Sequence, residues 1–548
     1  MKRRSVVGLL GSLPLLGFYS RVRSSASPAA VFQHGVASGD PDGNSVVLWT
    51  RVTPRRAADE LTCCWRIASD AGFRHVVDRG VVSTGSARDF TVKVVARHLR
   101  AGHDYYYDFS AEGEVSPAGR THVLPAGHVP SLRFAAVSCS NHPAGYFNVY
   151  RDIARQSDID AVIHLGDYIY EYGIGGYASE NAQVLGRMPR PDHPLKSLSD
   201  YRVRHAQYKA DPDLQALHAQ HPMIAIWDDH DFLNNSWMSG SEGFRDTQDA
   251  WKAQRAAALQ AYREWMPLRD LNPAAPERIF RSFHYGDLLS LILLDTRHFG
   301  RDRQLSYASD LNDDLTAFEK LRQDPARTLL GREQERWLER TLKRSSRQQW
   351  QLIAQQVLVS ELRLPQRLIE VVDPAAPSRF SKAILDNYLR LSRHGLPLLL
   401  DTWDGYADAR RRLLTALQKW ARNPIIVSGD IHTSMAGKIR LDGKQRVEAV
   451  ELVTPPVTSP GLDEYFPSAD NRMARAFLDA NPDLLFLDGR HRGWLDLRFD
   501  RDACAAQWRF VDTVLSRDYS VGVGRAVTVP CKDPRTGYRS IDYQLPDR

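Results

Sequence analysis

From Val31 to about His128, apolar and polar positions alternate in short runs. Ser45-Val-Val-Leu-Trp-Thr-Arg-Val52, Phe90-Thr-Val-Lys-Val-Val95 and Tyr105-Tyr-Tyr-Asp-Phe109 are rich in β-branched and aromatic residues, and Gly, Asp and Pro separate them. Such runs predict an antiparallel sandwich of immunoglobulin or fibronectin type over residues 31–128. Pro125-Ala-Gly-His-Val-Pro130 reads as a linker. Beyond it the pattern changes. Apolar runs at Leu132–Cys139, Asp160–Gly166, Pro222–Trp227, Leu288–Asp295, Trp350–Ser360 and Asn423–Ser428 predict buried strands. Helical periodicity lies between them at Tyr146–Gln156, Asp249–Trp265, Arg332–Lys343 and Tyr406–Ala421. Alternating strands and helices predict a layered α/β domain over residues 131–548, with Trp494–Phe499 and Ala505–Leu515 as strands that finish a sheet.

The chain has 548 residues, 43% hydrophobic and 25% charged, which is ordinary globular usage and disfavours disorder, a coiled coil or a multi-span membrane protein. Its net charge of +6 suggests a polyanion partner until the charge is located. Lys2, Arg3, Arg4, Arg21 and Arg23 fall within the first 26 residues, which carry no acid. The segment Val6–Phe18 is apolar but interrupted by Gly8, Gly11, Pro14 and Gly17, and small residues follow it. This is the layout of an export leader, and the Arg3-Arg4 pair resembles the twin-arginine class; Lys2 and Val6 depart from that pattern, and a general secretory signal is the alternative. Removal of residues 1–26 takes away five positive charges and leaves +1. The expectation is a periplasmic or secreted protein handled by the twin-arginine machinery, without stable membrane insertion or a specific nucleic-acid partner. The odd cysteine count leaves at least one thiol unpaired. Cys63 and Cys64 should face opposite sides of one strand, and Cys504 and Cys531 could pair with each other, leaving Cys139 free.

Polar residues collect where the predicted strands end: Ser138-Cys139-Ser140, Gly166-Asp-Tyr-Ile-Tyr-Glu171, Trp227-Asp-Asp-His-Asp231 with Asn234-Asn235, and Ser428-Gly-Asp-Ile-His432. Carboxyl ends of strands in open α/β sheets are where ligands bind. Asp167, Asp228, Asp229 and Asp430 would repel one another there without a cation between them. A thiol, a phenol and an imidazole beside them suit a transition metal, and oxygen-only donors suit a hard ion.

The ordered strings His34-Gly-Val-Ala-Ser-Gly-Asp-Pro41, Leu48-Trp-Thr-Arg51, Ser138-Cys139, Gly166-Asp-Tyr-Ile-Tyr-Glu171, Trp227-Asp-Asp-His230, Asp401-Thr-Trp-Asp-Gly-Tyr406 and Ser428-Gly-Asp-Ile-His432 resemble the PhoD-type alkaline phosphatases, a branch of the calcineurin-like metallophosphoesterases. The resemblance implies an N-terminal sandwich followed by two packed mixed sheets flanked by helices. It implies one ferric ion and one or two calcium ions. By motif, Cys139, Asp167, Tyr170 and His432 would hold iron, with Asp167 bridging. Asp228 or Asp229, Asn235 and Asp430 would hold calcium. In most of the wider superfamily the Asp430 position is histidine, and aspartate there suits calcium. Gln355-Gln356 stands where the superfamily supplies a further histidine, so that ligand is absent.

Each residue also has a plainer reading. In regular strand geometry Asp228 and Asp229 cannot both point into one site, and one of them could cap the next turn. His230 is either the leaving-group acid or a partner that orients a ligand; Asn235 orients substrate. Arg297 and Arg303 either receive phosphate oxygens or belong to a solvated loop. Trp403, Asp404 and Tyr406 either line the mouth or start a helix. His164, Tyr168 and Tyr172 read as packing residues. The expected activity is that of an exported metal-dependent phosphoric-ester hydrolase, an alkaline phosphatase with phosphodiesterase activity, in which a hydroxide held between metals attacks phosphorus in line. A phospholipase-D-like diesterase is the alternative within the branch, and a non-catalytic periplasmic binding protein the alternative outside it.

Overall fold

The computed structural model describes residues 31–270, 274–373, 375–441, 444–469, 471–538 and 541–544. The leader predicted over residues 1–26 lies outside them. Two mixed sheets carry most of the chain. The first has ten strands in the spatial order Asp542–Gln544, Val521–Pro530, Ala503–Val511, Arg492–Phe499, Leu132–Val137, Ala161–His164, Met223–Ala225, Val36–Gly39, Val46–Arg51 and Thr91–Ala96. The second has seven: Arg281–Tyr285, Leu289–Leu293, Trp350–Ala354, Pro424–Ser428, Val447–Val453, Ser434–Arg440 and Leu484–Asp488.

Alternation along the strands of the second sheet divides its side chains between two cores. Leu291, Leu293, Leu352, Ile425 and Val427 pack with Phe134, Val162, Ile163, Trp494 and Trp508 of the first sheet. The intervening Ile292, Ile353 and Ile426 pack with Leu338 and Leu342 of helix Gly331–Arg344 and with Leu413, Leu414 and Leu417 of helix Ala407–Trp420. Both faces are largely apolar, so the strands read as mainly hydrophobic runs, with Ser290 and Gln351 among the buried polar exceptions. The run Trp350–Ser360 is longer than its strand, which ends at Ala354. Helices Asn148–Ala154, Leu198–Lys209, Pro212–Gln220 and Gln248–Trp265 pack against the first sheet through Tyr150, Ile153, Tyr201, Leu214, Leu217 and Tyr262. Among the described residues no helix is long and apolar enough to cross a membrane.

In the N-terminal region, strands Glu60–Ala68, Val76–Gly85, Asp104–Ala111, Glu114–Val115 and Gly119–His122 form a third sheet. It closes a separate core in which Cys63, Ile67, Tyr107 and Phe109 meet Val36, Val46, Leu48 and Val92. The opposing layer is also the end of the ten-stranded sheet, because Gly39 pairs in parallel with Met223. Only glycine permits this junction: a Cβ at position 39 would lie 2.4 Å from the Pro267 carbonyl oxygen and 2.6 Å from that of Met223.

Cys63 is buried and Cys64 exposed, the alternation expected of one strand. The pairing considered for Cys504 and Cys531 is not made, and both are free thiols. Cys504 stands opposite Val529 in the ladder, so Cys531 is its diagonal neighbour, farther away than a directly opposed residue. Cys531 Sγ accepts instead from Gln349 Nε2 at 2.9 Å.

Candidate metal centre

Strands Leu132–Val137, Ala161–His164 and Met223–Ala225 are parallel neighbours, so the segments that leave them emerge on one edge. The loops are stitched together. The Cys139 N–H donates to the Gly166 carbonyl at 3.2 Å, and Ser140 N–H to that of Asp167 at 3.0 Å. Gly429, after the strand Pro424–Ser428 of the facing sheet, sits so close that a Cβ there would come within 2.8 Å of Ser138 Oγ. Gly166 has φ 106°, and its Cβ would lie 2.4 Å from both Asp228 N and Cβ. Cys139, Asp167, Asn235, Asp430 and His432 all adopt the left-handed region, with φ of 62°, 53°, 49°, 62° and 56°. Such conformations cost non-glycine residues about 1 kcal/mol or more each, and they concentrate at functional sites.

One half of the site combines sulfur, nitrogen and oxygen donors. Tyr170 Oη donates to Asp167 Oδ2 at 2.8 Å, accepts from Ser459 Oγ at 2.7 Å and lies 3.2 Å from His432 Nε2. The Pro460 carbonyl, which only accepts, is 3.1 Å from His432 Nδ1. It places the imidazole proton on Nδ1 and leaves Nε2 bare toward Tyr170 and Asp167. Donor atoms of Cys139, Asp167 and His432 lie within 4.8 Å of one another. Burial, then the charge of Asp167, pushes the Cys139 thiol and the Tyr170 phenol well above their ordinary ranges. Burial drives His432 down to about 3. This thiol, phenol, carboxylate and bare imidazole nitrogen are the donor types of a transition-metal site, and a cation there would deprotonate the first two.

The other half is all oxygen. Carboxylate oxygens of Asp228, Asp229 and Asp430 fall within 4.8 Å of one another. Asp228 Oδ2 is buried without a hydrogen-bond partner, an open donor toward a cation. Burial, opposed by Arg297, raises Asp430 to about 7. Burial also works against Asp229, but Arg297, His230 and the Asn235 N–H hold it well below the carboxylate range. Both Asp228 and Asp229 enter the cluster, against the expectation from strand geometry. The strand ends at Ala225, and the chain leaves regular strand geometry before Asp228 and turns at 229–231. Asn235 N–H donates to Asp229 Oδ2 at 2.5 Å, and its side-chain amide donates to Glu242. The two halves fit a transition metal and a hard cation, joined through Asp167 and Asp229.

Three residues in supporting positions have no role assigned from sequence. Asp231 accepts from the Asp228 N–H at 2.9 Å and the Ile169 N–H at 3.2 Å, pinning two of the loops together. Glu171 Oε2 is 2.8 Å from His230 Nδ1, and Glu171 Oε1 accepts from Asn234 N–H at 2.8 Å. Tyr177 Oη lies 3.2 Å from His432 Nδ1 and accepts from Tyr465 Oη at 2.7 Å. The last two flank a stack in which the His230 ring lies 4.3 Å from that of Tyr170. Burial opposes protonation of His230, but Glu171, Asp229 and Asp167 overcome it and hold its pKa well above the ordinary value.

Of the residues expected to bind substrate, Arg297 is inside the cluster but turned to its carboxylates, and Trp403 and Tyr406 are engaged by other groups. Arg297 is wholly buried and donates to Asp228 and Asp430, so its fork is not presented to an incoming phosphate. Trp403 donates to Gln355 Oε1 at 3.2 Å, and Tyr406 donates to the Asp302 carbonyl at 2.7 Å beneath Arg301 and Arg327. Both are buried packing groups at the start of helix Ala407–Trp420. Arg303 pairs with Asp310 at the surface. Gln356 accepts from Thr296 and donates to the Trp227 carbonyl, bracing the loops from behind. His164 is a satisfied core group, with Tyr150 Oη 2.9 Å from its Nε2.

The sequence profile of "PhoD-like phosphatase" matches residues 134–508, and that of "PhoD-like phosphatase, N-terminal domain" matches residues 19–125. Alkaline phosphatase D of Bacillus subtilis (strain 168) is 34% identical over 525 residues, covering 93% of this chain and 82% of that protein. A solved structure described as "Structure of PhoD" superposes with a TM-score of 0.77 at 30% identity, covering 94% of this chain and 92% of that one. A profile that spans well over half of the sequence, and a relative of this identity and coverage, place the chain in the PhoD-like phosphatase family.

Proposed function

We propose that the protein is an exported, metal-dependent phosphoric-ester hydrolase of alkaline phosphatase type that also accepts diesters. The observation that carries this reading is the meeting of a mixed sulfur, nitrogen and oxygen set with an all-oxygen set through shared carboxylates. Cys139, Asp167, Tyr170 and His432 would hold a ferric ion, and Asp167, Asp228, Asp229, Asn235 and Asp430 one or two calcium ions. When bound, such cations supply Lewis acidity toward phosphoryl oxygens and lower the pKa of water. The protein's own residues do the rest. His230, tied through Nδ1 to Glu171, presents Nε2 as the group that would pass a proton to a departing oxygen. Asn235 is held beside the cluster by its backbone bond to Asp229, and its amide would exchange its Glu242 contact to meet a cation or the ester. Tyr177 and Pro460 keep the His432 ring in register. Export through the twin-arginine route rests on Arg3-Arg4 and the weakly apolar segment after them.

The test is elemental analysis of purified protein combined with hydrolysis of p-nitrophenyl phosphate, bis-p-nitrophenyl phosphate and phosphatidylcholine. Hydrolysis of the first two substrates, its loss on chelation and in Asp167→Ala, and bound iron with a visible absorption band are expected. A correctly folded Asp167→Ala protein with full activity would overturn the proposal. Preference for phosphatidylcholine would move the enzyme to the phospholipase side of the branch, and ester binding without turnover would make it a binding protein.

A further inference from the structure

Four carboxylates surround one guanidinium at the edge of the candidate centre. Arg297 Nε donates to Asp228 Oδ1 at 2.5 Å, and one terminal nitrogen donates to Asp430 Oδ1 at 2.5 Å. The same nitrogen lies 3.7 Å from Asp229 Oδ1, and the other terminal nitrogen 3.5 Å from Asp401 Oδ2. The layering has a direction. Arg297 is 0% exposed, whereas the Asp430 and Asp401 side chains are 12% and 10% exposed. The guanidinium therefore lies beneath Asp430 and Asp401, with Asp228 and Asp229, 1% and 2% exposed, buried beside it. It engages Oδ1 of Asp228 and leaves the buried Oδ2 unpartnered. Its own position is fixed: Arg297 N–H and His298 N–H both bind Asp295 Oδ1 at 2.9 Å, in the turn after strand Leu289–Leu293. One guanidinium faces four carboxyl groups, so it cannot engage all of their oxygens, and donor oxygens are left over for a second cation. The arrangement can therefore hold together and still attract a divalent ion.

From this geometry we infer that Arg297 is a built-in counter-cation, a positioning residue that holds Asp228, Asp229, Asp401 and Asp430 in calcium-receiving order before calcium arrives. The inference rests on the reading that this cluster takes cations. It assigns Arg297 a part in assembling the site and none in gripping phosphate. A planar fork that reaches several carboxylates at once is a task for arginine, and lysine, a point charge, performs it only in part.

The experiment uses the full-length protein purified in calcium, stripped with a chelator, and melted with and without millimolar calcium. Arg297→Gln should lower the melting temperature of the stripped protein by about 3–5 °C, the effect of leaving buried carboxylates without their cation in a chain this large. Calcium should restore most of that loss, so its stabilising shift is larger in the variant than in the wild type. Arg297→Lys should fall between the two. Arg297→Gln combined with Asp430→Asn, which removes one of the repelling charges, should melt higher than Arg297→Gln alone when stripped. Equal destabilisation with and without calcium would reduce Arg297 to ordinary packing and overturn the inference, as would a stripped variant as stable as the wild type. If calcium stabilises neither protein, the cation reading of the cluster fails, and the stripped single and double variants still decide whether Arg297 offsets carboxylate repulsion.

Discussion

Replacing Gly166 by alanine should damage the centre without removing any of its functional groups. At φ 106° the backbone lies in a region that side chains avoid at about 1–3 kcal/mol. The added Cβ would stand 2.4 Å from both Asp228 N and Asp228 Cβ, where contacts of about 3.5 Å are the rule. Asp228 must therefore retreat by roughly 1 Å, and overpacking of this kind costs about 1–3 kcal/mol more. The expected loss is about 2–6 kcal/mol, which corresponds to a melting point lower by about 2–6 °C for a chain of this length. Activity should fall further than stability suggests, because a displacement of about 1 Å in a catalytic group can cost about a hundredfold in rate. The assay is thermal unfolding together with turnover of p-nitrophenyl phosphate at saturating metal. Gly43→Ala is the control: its Cβ meets open space and its φ is not positive, so both readouts should stay at wild-type values. A Gly166→Ala enzyme that melts and turns over like the wild type would refute the steric argument.

Other residues give further tests. Asp231→Ala strips the acceptor from the buried N–H groups of Asp228 and Ile169, so the protein should lose about 2–6 kcal/mol in denaturant unfolding, and Asp231→Asn should recover part of it. Tyr177→Phe removes the hydroxyl between Tyr465 and His432, and kcat at fixed metal content should drop by about two- to tenfold, the worth of one hydrogen bond; an unchanged kcat would remove Tyr177 from the support of His432. A thiol reagent should label Cys64 first in the native protein and count five thiols after denaturation without reductant, whereas a count of three would reveal a disulfide.

Some features of the fold were legible because burial leaves a one-dimensional trace. Leu289–Leu293 and Pro424–Ser428 are buried on both faces, and a mainly hydrophobic run, interrupted only by Ser290 and closed by Ser428, shows it. Helices Leu198–Lys209 and Pro212–Gln220 leave no clear periodicity, because their inner faces bury Arg204, His205, Lys209 and His218, which blurs the apolar stripe. Their boundaries were nevertheless written in the sequence, as Ser197 with Asp200 in a capping box and Asp211 before Pro212. The joining of the N-terminal layer to the large sheet depends on Gly39 and one backbone pair, which leave no periodic signal. At the site, Cys139, Asp167, Tyr170 and His432 are legible because their strand-end strings resemble the motifs of the PhoD-type family. Asp231, Glu171 and Tyr177 act on other side chains and backbone groups, so only the folded geometry reveals them. Arg297 was recognisable as a cation in a loop, but sequence says nothing about which way such a side chain faces, and it turned inward.

The left-handed backbone at Cys139, Asp167, Asn235, Asp430 and His432 matters for anyone trying to make this enzyme more robust. At each of these positions glycine relieves conformational strain that the present residue must bear. A selection for heat resistance that ignores turnover would therefore drift toward erasing the centre, because the substitutions most favourable to the backbone are the ones that delete its donors. Libraries built on this scaffold should hold those five codons fixed and look for added stability in loops remote from the strand ends.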